Sequence, residues 1–327
     1  YSSGVNSASN AITNTKILTK LWTGSTSAMC ESILRHHGFR TGFYSSPHLV
    51  AVRERIRLNG RVISEEQFAR HFHQVHDMLD GTKAFEGDMP KYFAFLTVMA
   101  FNVFLKEKVD VAIVEVGIGG IVDYTNVLRK VPVVGITALG LDHTSILGTT
   151  LPEIAAAKAG VMKPGCEAYT VEQPNDCPLT VVPAYNTYTF PTTERALLPV
   201  DVEAYQTNAS LAIQLAHAWM RITKPIHRKN VVKCVTKETM TGLTSCKWPG
   251  RYQVVESDYA KFYLDGAHTK ESMEICAQWF KNRNSRSCCE FRLIIVRPFW
   301  PKGVYRGFRG RLRDTTQRNM TPSLRVQ

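Results

Sequence analysis

Residues 109–120 read VDVAIVEVGIGG, a continuous run of apolar side chains that ends in glycines. A run of this kind is typical of a strand that is buried on both faces of a parallel sheet. Residues 131–140, VPVVGITALG, repeat the pattern. Helical patterns around these strands complete an alternation that predicts a doubly wound α/β domain. Ligands in such sheets bind at the carboxyl ends of the strands, so the polar residues that follow each strand are the candidates for a site.

The remaining elements follow from the spacing of apolar residues and from capping residues. The pattern predicts a short strand at 40–46 and helices at 64–79, 92–108, 151–162 and 203–220. The character of the chain changes after Ile222, where a basic stretch leads to a strand, turn and helix pattern at 248–281. This pattern predicts the start of a second α/β domain, which is truncated. We therefore expect a first domain at 1–222, a second at 223–287 and a basic tail at 288–327.

The net charge of +12 is concentrated near one end of the sequence. Residues 286–327 hold ten Lys and Arg against two acidic residues, which accounts for eight of the excess charges. An arginine-rich RNA-binding tail would carry such a charge. The segment has no sustained helical or strand period, however, and a disordered or out-of-frame extension explains it better. We therefore expect no specific nucleic-acid partner.

The overall composition favours a globular intracellular protein. A hydrophobic content of 44% and a charged content of 21% are ordinary for that class, and no apolar run is long enough to span a membrane. The eight cysteines show no zinc-ribbon spacing, so we interpret them as reduced thiols. Residues 1–10 are polar and lack the apolar core of a secretory signal, whereas the absence of acids before Glu31 permits a transit-peptide remnant.

Residues 18–29, LTKLWTGSTSAM, have the outline of a phosphate-binding loop. An apolar strand leads to Gly24-Ser25-Thr26, and a helical pattern follows. In such loops, glycines let the backbone approach the phosphates and a lysine holds them. That lysine and the earlier glycines are missing from this stretch.

Four features carry residue types suited to phosphate chemistry. Glu115 ends the first buried strand, where a carboxylate can hold magnesium beside phosphates, although a single acid there is as often an ordinary surface residue. His143 follows the second strand and could ligate a second metal, but a lone histidine is usually structural. Lys158 lies on a helix among small residues, where a lysine is normally solvated. Near the end, Arg251 in WPGR has the fork of donors that suits phosphate, and LDGAHT (264–269) follows it.

The motifs are more specific together than apart. In chain order they are SSPHLVAVRERIRLNG (45–60), YFAFLTVMAF (92–101), IVEVGIGGIVDYTNV (113–127), LDHTSILG (141–148), AAAKAGVMKPG (155–165), TNASLAIQLA (207–216), WPGR and LDGAHT. From about Thr19 to Lys281 the chain closely resembles the folylpolyglutamate synthases, which belong to the ATP-dependent Mur-type ligases. The combination of SSPHL, RERI and LDGAHT separates it from the cell-wall Mur ligases. The dihydrofolate synthases share most of these motifs, and the eukaryote-like spelling of 45–60 favours the polyglutamating enzyme.

The resemblance implies a P-loop ATPase-like first domain and assigns roles within it. Ser25, Glu115 and His143 correspond to metal ligands, and Lys158 corresponds to a lysine that is carbamylated in the family and bridges to the second magnesium. Glu115, His143 and Lys158 are therefore the implied catalytic residues. The implied nucleotide contacts are Gly24, Ser25, Thr26, Asn208, Arg251, Asp265 and His268, the last three from across the domain cleft. The implied folate-side residues are Ser45, Ser46, Pro47, His48, Tyr92 and Phe93.

The activity that the resemblance implies is the ATP-dependent addition of L-glutamate to the γ-carboxyl of tetrahydrofolate and its polyglutamates, through an acyl phosphate. The implied cofactors are ATP and Mg²⁺ at two sites, and the family also admits a monovalent cation. We expect a monomer without an integral membrane segment, located in mitochondria, the cytosol or both.

One departure from the family concerns the loop, which reads G-T-x-G-K-G-S-T in the family. Aligned without a gap, residues 19–26 keep only Gly24-Ser25-Thr26, with Thr23 in place of the lysine and Trp22 in place of a glycine. Lys20 lies too early to replace the lysine unless the loop changes shape. The stretch is thus interpreted as an altered version of a real phosphate site. Two other functions stay open: a dihydrofolate synthase, and a non-catalytic remnant that binds folate or nucleotide.

Overall fold

The structure is a computed structural model that describes residues 24–173, 179–191, 198–223, 231–258 and 261–284, together with the backbone of strands at 17–21, 291–295 and 306–310. Contacts divide the chain into two compact units, Tyr1–Lys247 and Trp248–Gln327. Trp22, Thr23 and most of the basic tail lie outside the described residues.

The first unit is built on an eight-stranded sheet in the order β4-β3-β2-β5-β1-β6-β7-β8. The strands are β1 (Ile17–Leu21), β2 (Thr41–Tyr44), β3 (Ile56–Leu58), β4 (Arg61–Val62), β5 (Val111–Glu115), β6 (Val133–Ile136), β7 (Glu167–Thr170) and β8 (Thr180–Val181). The pairs from β2 to β8 are parallel, whereas β3 and β4 add an antiparallel edge. Every residue of β5 and β6 is buried. The parallel, doubly wound sheet predicted from residues 109–120 is confirmed.

The helices of this unit cover the sheet. They are α1 (Gly24–His36), α2 (Glu65–Thr82), α3 (Tyr92–Lys106), α4 (Thr144–Leu147), α5 (Leu151–Ala159), α6 (Glu203–Thr223) and α7 (Lys237–Thr244). The predicted helices at 64–79, 92–108, 151–162 and 203–220 correspond to α2, α3, α5 and α6. Because α3 is apolar around most of its circumference, it is buried and forms much of the core with Tyr44, Ile56 and Val114. None of the helices in the described ranges is long and apolar enough to cross a bilayer.

The boundary between the units lies later in the chain than the composition suggested. A change in character after Ile222 predicted a new domain from residue 223, but α7 packs against α1 and belongs to the first unit. Part of the attachment of α7 is polar: the hydroxyl of the fully buried Thr239 bonds to Nε2 of His37, just after α1, at 2.8 Å and to Nε2 of His217 on α6 at 2.9 Å. Such a contact between residues far apart in sequence leaves no periodic signal in the sequence.

We expect Thr239→Val to lower the free energy of unfolding by about 1–3 kcal/mol, because it leaves two partly buried imidazole nitrogens without their shared hydroxyl. Thr241→Val on the same helix is the matched control, since Thr241 is exposed and its hydroxyl bonds only to the carbonyl of Lys237. Urea denaturation of the two variants measures the difference. Equal stabilities would show that the hydroxyl contributes nothing to the attachment of α7.

The second unit contains a sheet in the order β12-β11-β10-β9. Its elements are β9 (Gln253–Glu256), β10 (Lys261–Asp265), α8 (Lys270–Asn284), β11 (Phe291–Ile295) and β12 (Arg306–Gly310). The strand, turn and helix predicted at 248–281 are confirmed. β11 and β12 differ from the irregular tail that the charge pattern suggested, because the apolar run FRLII pairs in parallel with β10. The rest of 288–327 lies outside the described residues.

Candidate functional site

The start of α1 has the geometry of an anion site. It begins at Gly24 directly after β1, and its first turn contains no acidic residue. The first backbone N–H groups of a helix have no partner within the helix and carry a partial positive charge, so they favour phosphate. Ser25 and Thr26 are buried in this turn. Lys20 is described only through the backbone of β1, while Trp22 and Thr23 lie outside the described residues.

A hydrogen bond connects this turn to α6. The hydroxyl of Thr26 donates to Oδ1 of Asn208 at 2.9 Å, across 182 positions of sequence. Thr26 and Asn208 were both predicted nucleotide contacts, and the structure brings them together. Because the amide oxygen of Asn208 is engaged, its amide nitrogen is the group left to donate to a ligand.

Glu115 lies beside the same turn, at the carboxyl end of β5. It is opposite Leu21 of β1 in the register of the sheet and is only 7% exposed. Its Oε2 accepts a hydrogen bond from the backbone N–H of Ser46 at 2.9 Å. The predicted metal-binding carboxylate is therefore in direct contact with the predicted folate-side loop.

A residue that the sequence analysis did not single out, Asp123, holds the glycine loop after β5. One carboxylate oxygen accepts from the N–H groups of Gly117 and Ile118, each at 3.0 Å. The other accepts from the N–H of Thr125 at 2.9 Å and from its hydroxyl. A Cβ at Gly117 would lie 2.7 Å from the Phe93 ring and 2.9 Å from this carboxylate, so the close approach requires glycine. In the sequence, the signal that could have pointed to Asp123 was its position within the motif IVEVGIGGIVDYTNV.

We expect Asp123→Asn to lower the free energy of unfolding by about 1–3 kcal/mol. The amide cannot accept from all the donors that now converge on the carboxylate, and a buried N–H without an acceptor retains its desolvation cost. Thermal or urea denaturation measures the change. Asp77→Asn is the control, since the side chain of Asp77 is 77% exposed. If the two variants were equally stable, Asp123 would not be the anchor of this loop.

The folate-side loop is held by its own acidic and basic side chains. Ser45 is buried, and a cis peptide bond joins Ser46 to Pro47. The carboxylate of Glu54 accepts from the backbone N–H groups of the preceding residues 49, 50 and 51, at 2.7–3.1 Å. These hydrogen bonds outweigh burial and keep the pKa of Glu54 below its ordinary value. The loop is thus ordered by the protein itself before any ligand binds.

Arg55 links the predicted folate-side residues to one another. Its Nε donates to Nδ1 of His48 at 3.0 Å, and its guanidinium carbon lies 5.5 Å from the centre of the Tyr92 ring. Phe93 continues the aromatic surface, with its ring 6.1 Å from Tyr44 and 6.2 Å from Tyr124. Sequence reasoning used RERI as a family signature without giving Arg55 a role.

His143 and Lys158 lie near a shared neighbour, Asp142. His143 adopts a left-handed backbone conformation with φ of 51°, at the start of α4, and its Nε2 is 3.7 Å from a carboxylate oxygen of Asp142. Lys158 lies in the last turn of α5, where burial lowers its pKa to about 8 and the charge of Asp142 opposes that shift. A lysine of this kind is partly neutral at mildly basic pH, as reaction of the amine with CO₂ requires.

The second unit brings together the three remaining predicted nucleotide contacts. Asp265 is buried and accepts from the N–H groups of Tyr252 and Ala267, both at 2.8 Å. Burial nevertheless raises its pKa. Arg251 lies across Gly266, where a Cβ would be 1.6 Å from Nη1 and would displace the guanidinium. Nδ1 of His268 is 2.9 Å from the carbonyl oxygen of Gly266.

The donor set of the first unit suits a magnesium ion that takes most of its ligands from water and phosphate. Within the described residues, no group of three or more His, Cys, Asp or Glu side chains could hold a metal. Ser25, in the first turn of α1, supplies a hydroxyl, and Glu115, at the end of β5, supplies a carboxylate. Mg²⁺ in nucleotide sites is commonly held by one or two protein oxygens together with water and phosphates, so this sparse set fits the ion.

Known proteins resemble the chain in sequence and in structure. No family model matches it. The mitochondrial folylpolyglutamate synthase of Cricetulus griseus is 44% identical, in an alignment that covers 81% of this chain and 50% of the relative. The folylpolyglutamate synthase of Arabidopsis thaliana is 43% identical, with 79% of this chain and 48% of the relative covered. The chain thus spans about half the length of the curated relatives it matches.

Solved structures agree with this result at the level of the fold. A folylpolyglutamate synthase complex with AMPPCP superposes with a TM-score of 0.73 at 22% identity, covering 92% of this chain and 85% of the other. The Mycobacterium tuberculosis enzyme with ADP gives a TM-score of 0.68 at 24% identity, covering 84% and 67%. The solved structures show the fold, and the curated relatives show that this chain belongs to the folylpolyglutamate synthase family.

Proposed function

We propose that the chain carries the ATP- and folate-binding part of an ATP-dependent ligase that adds L-glutamate to the γ-carboxyl of tetrahydrofolate and its polyglutamates. The observation that carries this proposal is the bond between the Ser46 N–H and Glu115, because it joins the folate-side loop to the carboxylate beside the phosphate turn. Curated relatives bear the name of this activity, and one solved neighbour is a complex with AMPPCP and folate.

The reaction has two steps. The γ-phosphoryl group of ATP passes to a carboxylate oxygen of the folate acceptor, which gives an acyl phosphate and ADP. The amine of glutamate then attacks the acyl carbon, phosphate leaves with the electrons of the broken C–O bond, and the amine loses a proton. Positioning and charge neutralisation provide most of the catalysis of phosphoryl transfer.

Different groups of the chain are proposed to bind the nucleotide and the acceptor. The N–H groups at the start of α1, with the hydroxyl of Ser25, hold the phosphates, and the amide nitrogen of Asn208 faces the nucleotide. His48, Arg55 and Tyr92 bind the acceptor. Arg251, Asp265 and His268 of the second unit are the remaining proposed nucleotide contacts. A well-positioned acyl phosphate also has to be protected from water.

In this proposal Ser25 and Glu115 would hold a magnesium ion, and His143 would contribute to a second. The bound ions would neutralise charge on the transferring phosphoryl group. Carbamylation of Lys158 would supply a further carboxylate, and the lowered pKa of this lysine supports its reactivity towards CO₂. A monovalent cation is admitted by the family but has no assigned residues.

The choice of acceptor separates this function from that of a dihydrofolate synthase. The experiment compares binding of tetrahydrofolate and of dihydropteroate to the full chain by isothermal titration calorimetry, with AMPPCP and magnesium present. We expect tetrahydrofolate to bind and dihydropteroate to bind at least about tenfold more weakly, because the buried charge of Arg55 favours an acceptor that carries a glutamyl carboxylate. The reverse preference would support the sister enzyme, and no binding of either would contradict both.

We propose an intracellular location, mitochondrial or cytosolic or both. The proposal is based on the mitochondrial relatives and on the free thiols of the described cysteines. Cys30, Cys166, Cys234, Cys246 and Cys276 are free in the described part of the chain. The proposed partners are ATP, L-glutamate and folates, and the proposed oligomeric state is a monomer.

A further inference from the structure

The contact between Arg55 and His48 fixes the protonation of the imidazole. A guanidinium is always protonated in proteins, so its Nε–H can only donate. Nδ1 of His48, 3.0 Å away, must therefore accept. An imidazole that accepts at Nδ1 is neutral and carries its proton at Nε2. The side chain is thus a hydrogen-bond donor at Nε2 and cannot act as a base there.

The surroundings of His48 favour the neutral ring. Burial lowers its pKa, the charge of Arg55 lowers it further, and the carboxylate of Glu54 opposes both. Glu54 is itself occupied by the N–H groups of residues 49–51. The other titratable groups around Arg55 are Tyr44, buried in the core, and Tyr92, whose ring faces the guanidinium. Neither brings a negative charge towards the imidazole.

The pair also carries a positive charge that no ion pair neutralises within the described residues. Arg55 is 7% exposed, and no carboxylate forms an ion pair with it among the residues that the structure describes. Within the same residues, no hydrogen bond engages Nε2 of His48, while the adjacent Tyr92 side chain is 59% exposed. A buried guanidinium without a counter-ion, next to a fixed N–H donor and an exposed aromatic ring, suits a ligand that carries a carboxylate.

We propose that His48 is a specificity residue that donates its Nε2–H to a carboxylate oxygen of the glutamyl part of the acceptor, with Arg55 as the positioning residue that fixes the tautomer. The inference rests on the proposed function. It adds that His48 is the donor, that Nε2 is the donating atom, and that a carboxylate is the group recognised.

The first test is independent of any ligand. ¹⁵N NMR of the histidine-labelled full chain at neutral pH should show an Nε2–H tautomer for His48, assigned by loss of its signals in His48→Gln. Arg55→Lys should release the preference for that tautomer, since the ammonium does not reproduce the Nε–H direction. An Nδ1–H tautomer, or a charged ring at neutral pH, would overturn the inference whatever the chain binds.

The second test uses matched variants and tetrahydrofolate binding by calorimetry. His48→Gln places an amide N–H donor near the position of Nε2, whereas His48→Asn keeps an acceptor for Arg55 but has no donor at that distance. We expect about tenfold to a hundredfold weaker binding for His48→Asn and a change within about threefold for His48→Gln, with AMPPCP affinity the same in all three proteins. Equal binding by both variants would exclude the donor role.

The pH profile of binding supplies a third readout. Protonation at Nδ1 places two donors against each other, so acceptor affinity of the unmodified chain should fall as the pH drops through the pKa of His48, below its ordinary value of 6.5. The affinity of His48→Gln should stay flat over the same range. Parallel profiles would contradict the inference. Absence of tetrahydrofolate binding to every protein would overturn the proposed function and with it the ligand-binding role of His48. The tautomer measurement distinguishes this outcome from a failure of the inference alone, because it requires no ligand.

Discussion

Changing residues 19–26 to the family loop, together with a second domain as long as that of the relatives, is expected to raise folate- and glutamate-dependent ATP hydrolysis from below detection by at least about 10²–10³. The change consists of Thr19→Gly, Lys20→Thr, Trp22→Gly and Thr23→Lys, which gives GTLGKGST. A lysine at position 23 supplies a charge to the β- and γ-phosphates, and one preorganised contact of this kind is worth roughly 3–4 kcal/mol in the transition state. Glycine at 22 restores the residue type that lets the backbone approach the phosphates in the family loop. ADP release in the presence of tetrahydrofolate and glutamate measures the gain over the unmodified chain, in which we expect no turnover.

The single variant Thr23→Lys is the matched control for this experiment. We expect it to remain inactive, because Trp22 and the missing glycines still prevent the backbone from approaching the phosphates. Robust turnover by the unmodified chain would show that the ungapped alignment of 19–26 is wrong. Lys20→Ala would then test whether Lys20 holds the phosphates instead.

Glu115→Gln in the chain with the restored loop is expected to lower ATP turnover by about 10²–10³. The amide keeps an oxygen that can accept from the Ser46 N–H, so the loop contact survives, but the charge that binds magnesium is lost. Tetrahydrofolate affinity should therefore stay within about threefold, while affinity for magnesium and AMPPCP falls. Glu65→Gln is the control, because that side chain is 80% exposed. Turnover that survives Glu115→Gln would remove this residue from the metal site.

Much of the fold and part of the site could be predicted from local patterns. A strand buried on both faces, such as β5, is a continuous apolar run, and a helix such as α6 shows its period directly. Because the carboxyl ends of parallel strands share one edge of the sheet, the position of Glu115 beside the turn of Ser25 and Thr26 followed from strand assignment. The family resemblance implied that Thr26 and Asn208 each contact the nucleotide, whereas the hydrogen bond between them was not predicted.

The features that sequence reasoning missed depend on contacts that produce no periodic pattern in the sequence. Asp123 holds the glycine loop through several backbone N–H groups, and an aspartate in a loop looks the same whether it is exposed or buried. Arg55 lies buried between His48 and Tyr92. The sequence RERI does not reveal this, because a charged residue is usually exposed. The attachment of α7 through Thr239 shifted the boundary between the units for the same reason. Each required the three-dimensional neighbours to be known.

The most direct test of the proposed ligase function is mass spectrometry of the folate product. The chain with the restored loop and the longer second domain, and the same protein carrying Glu115→Gln, are each incubated with magnesium, ATP, tetrahydrofolate and L-glutamate. We predict a folate heavier by one or more glutamyl residues, γ-linked by fragmentation, with one ADP released for each residue added. The product should be absent without ATP and in the Glu115→Gln variant. ATP hydrolysis that neither requires folate nor extends it, or extension unaffected by Glu115→Gln, would contradict the proposed function.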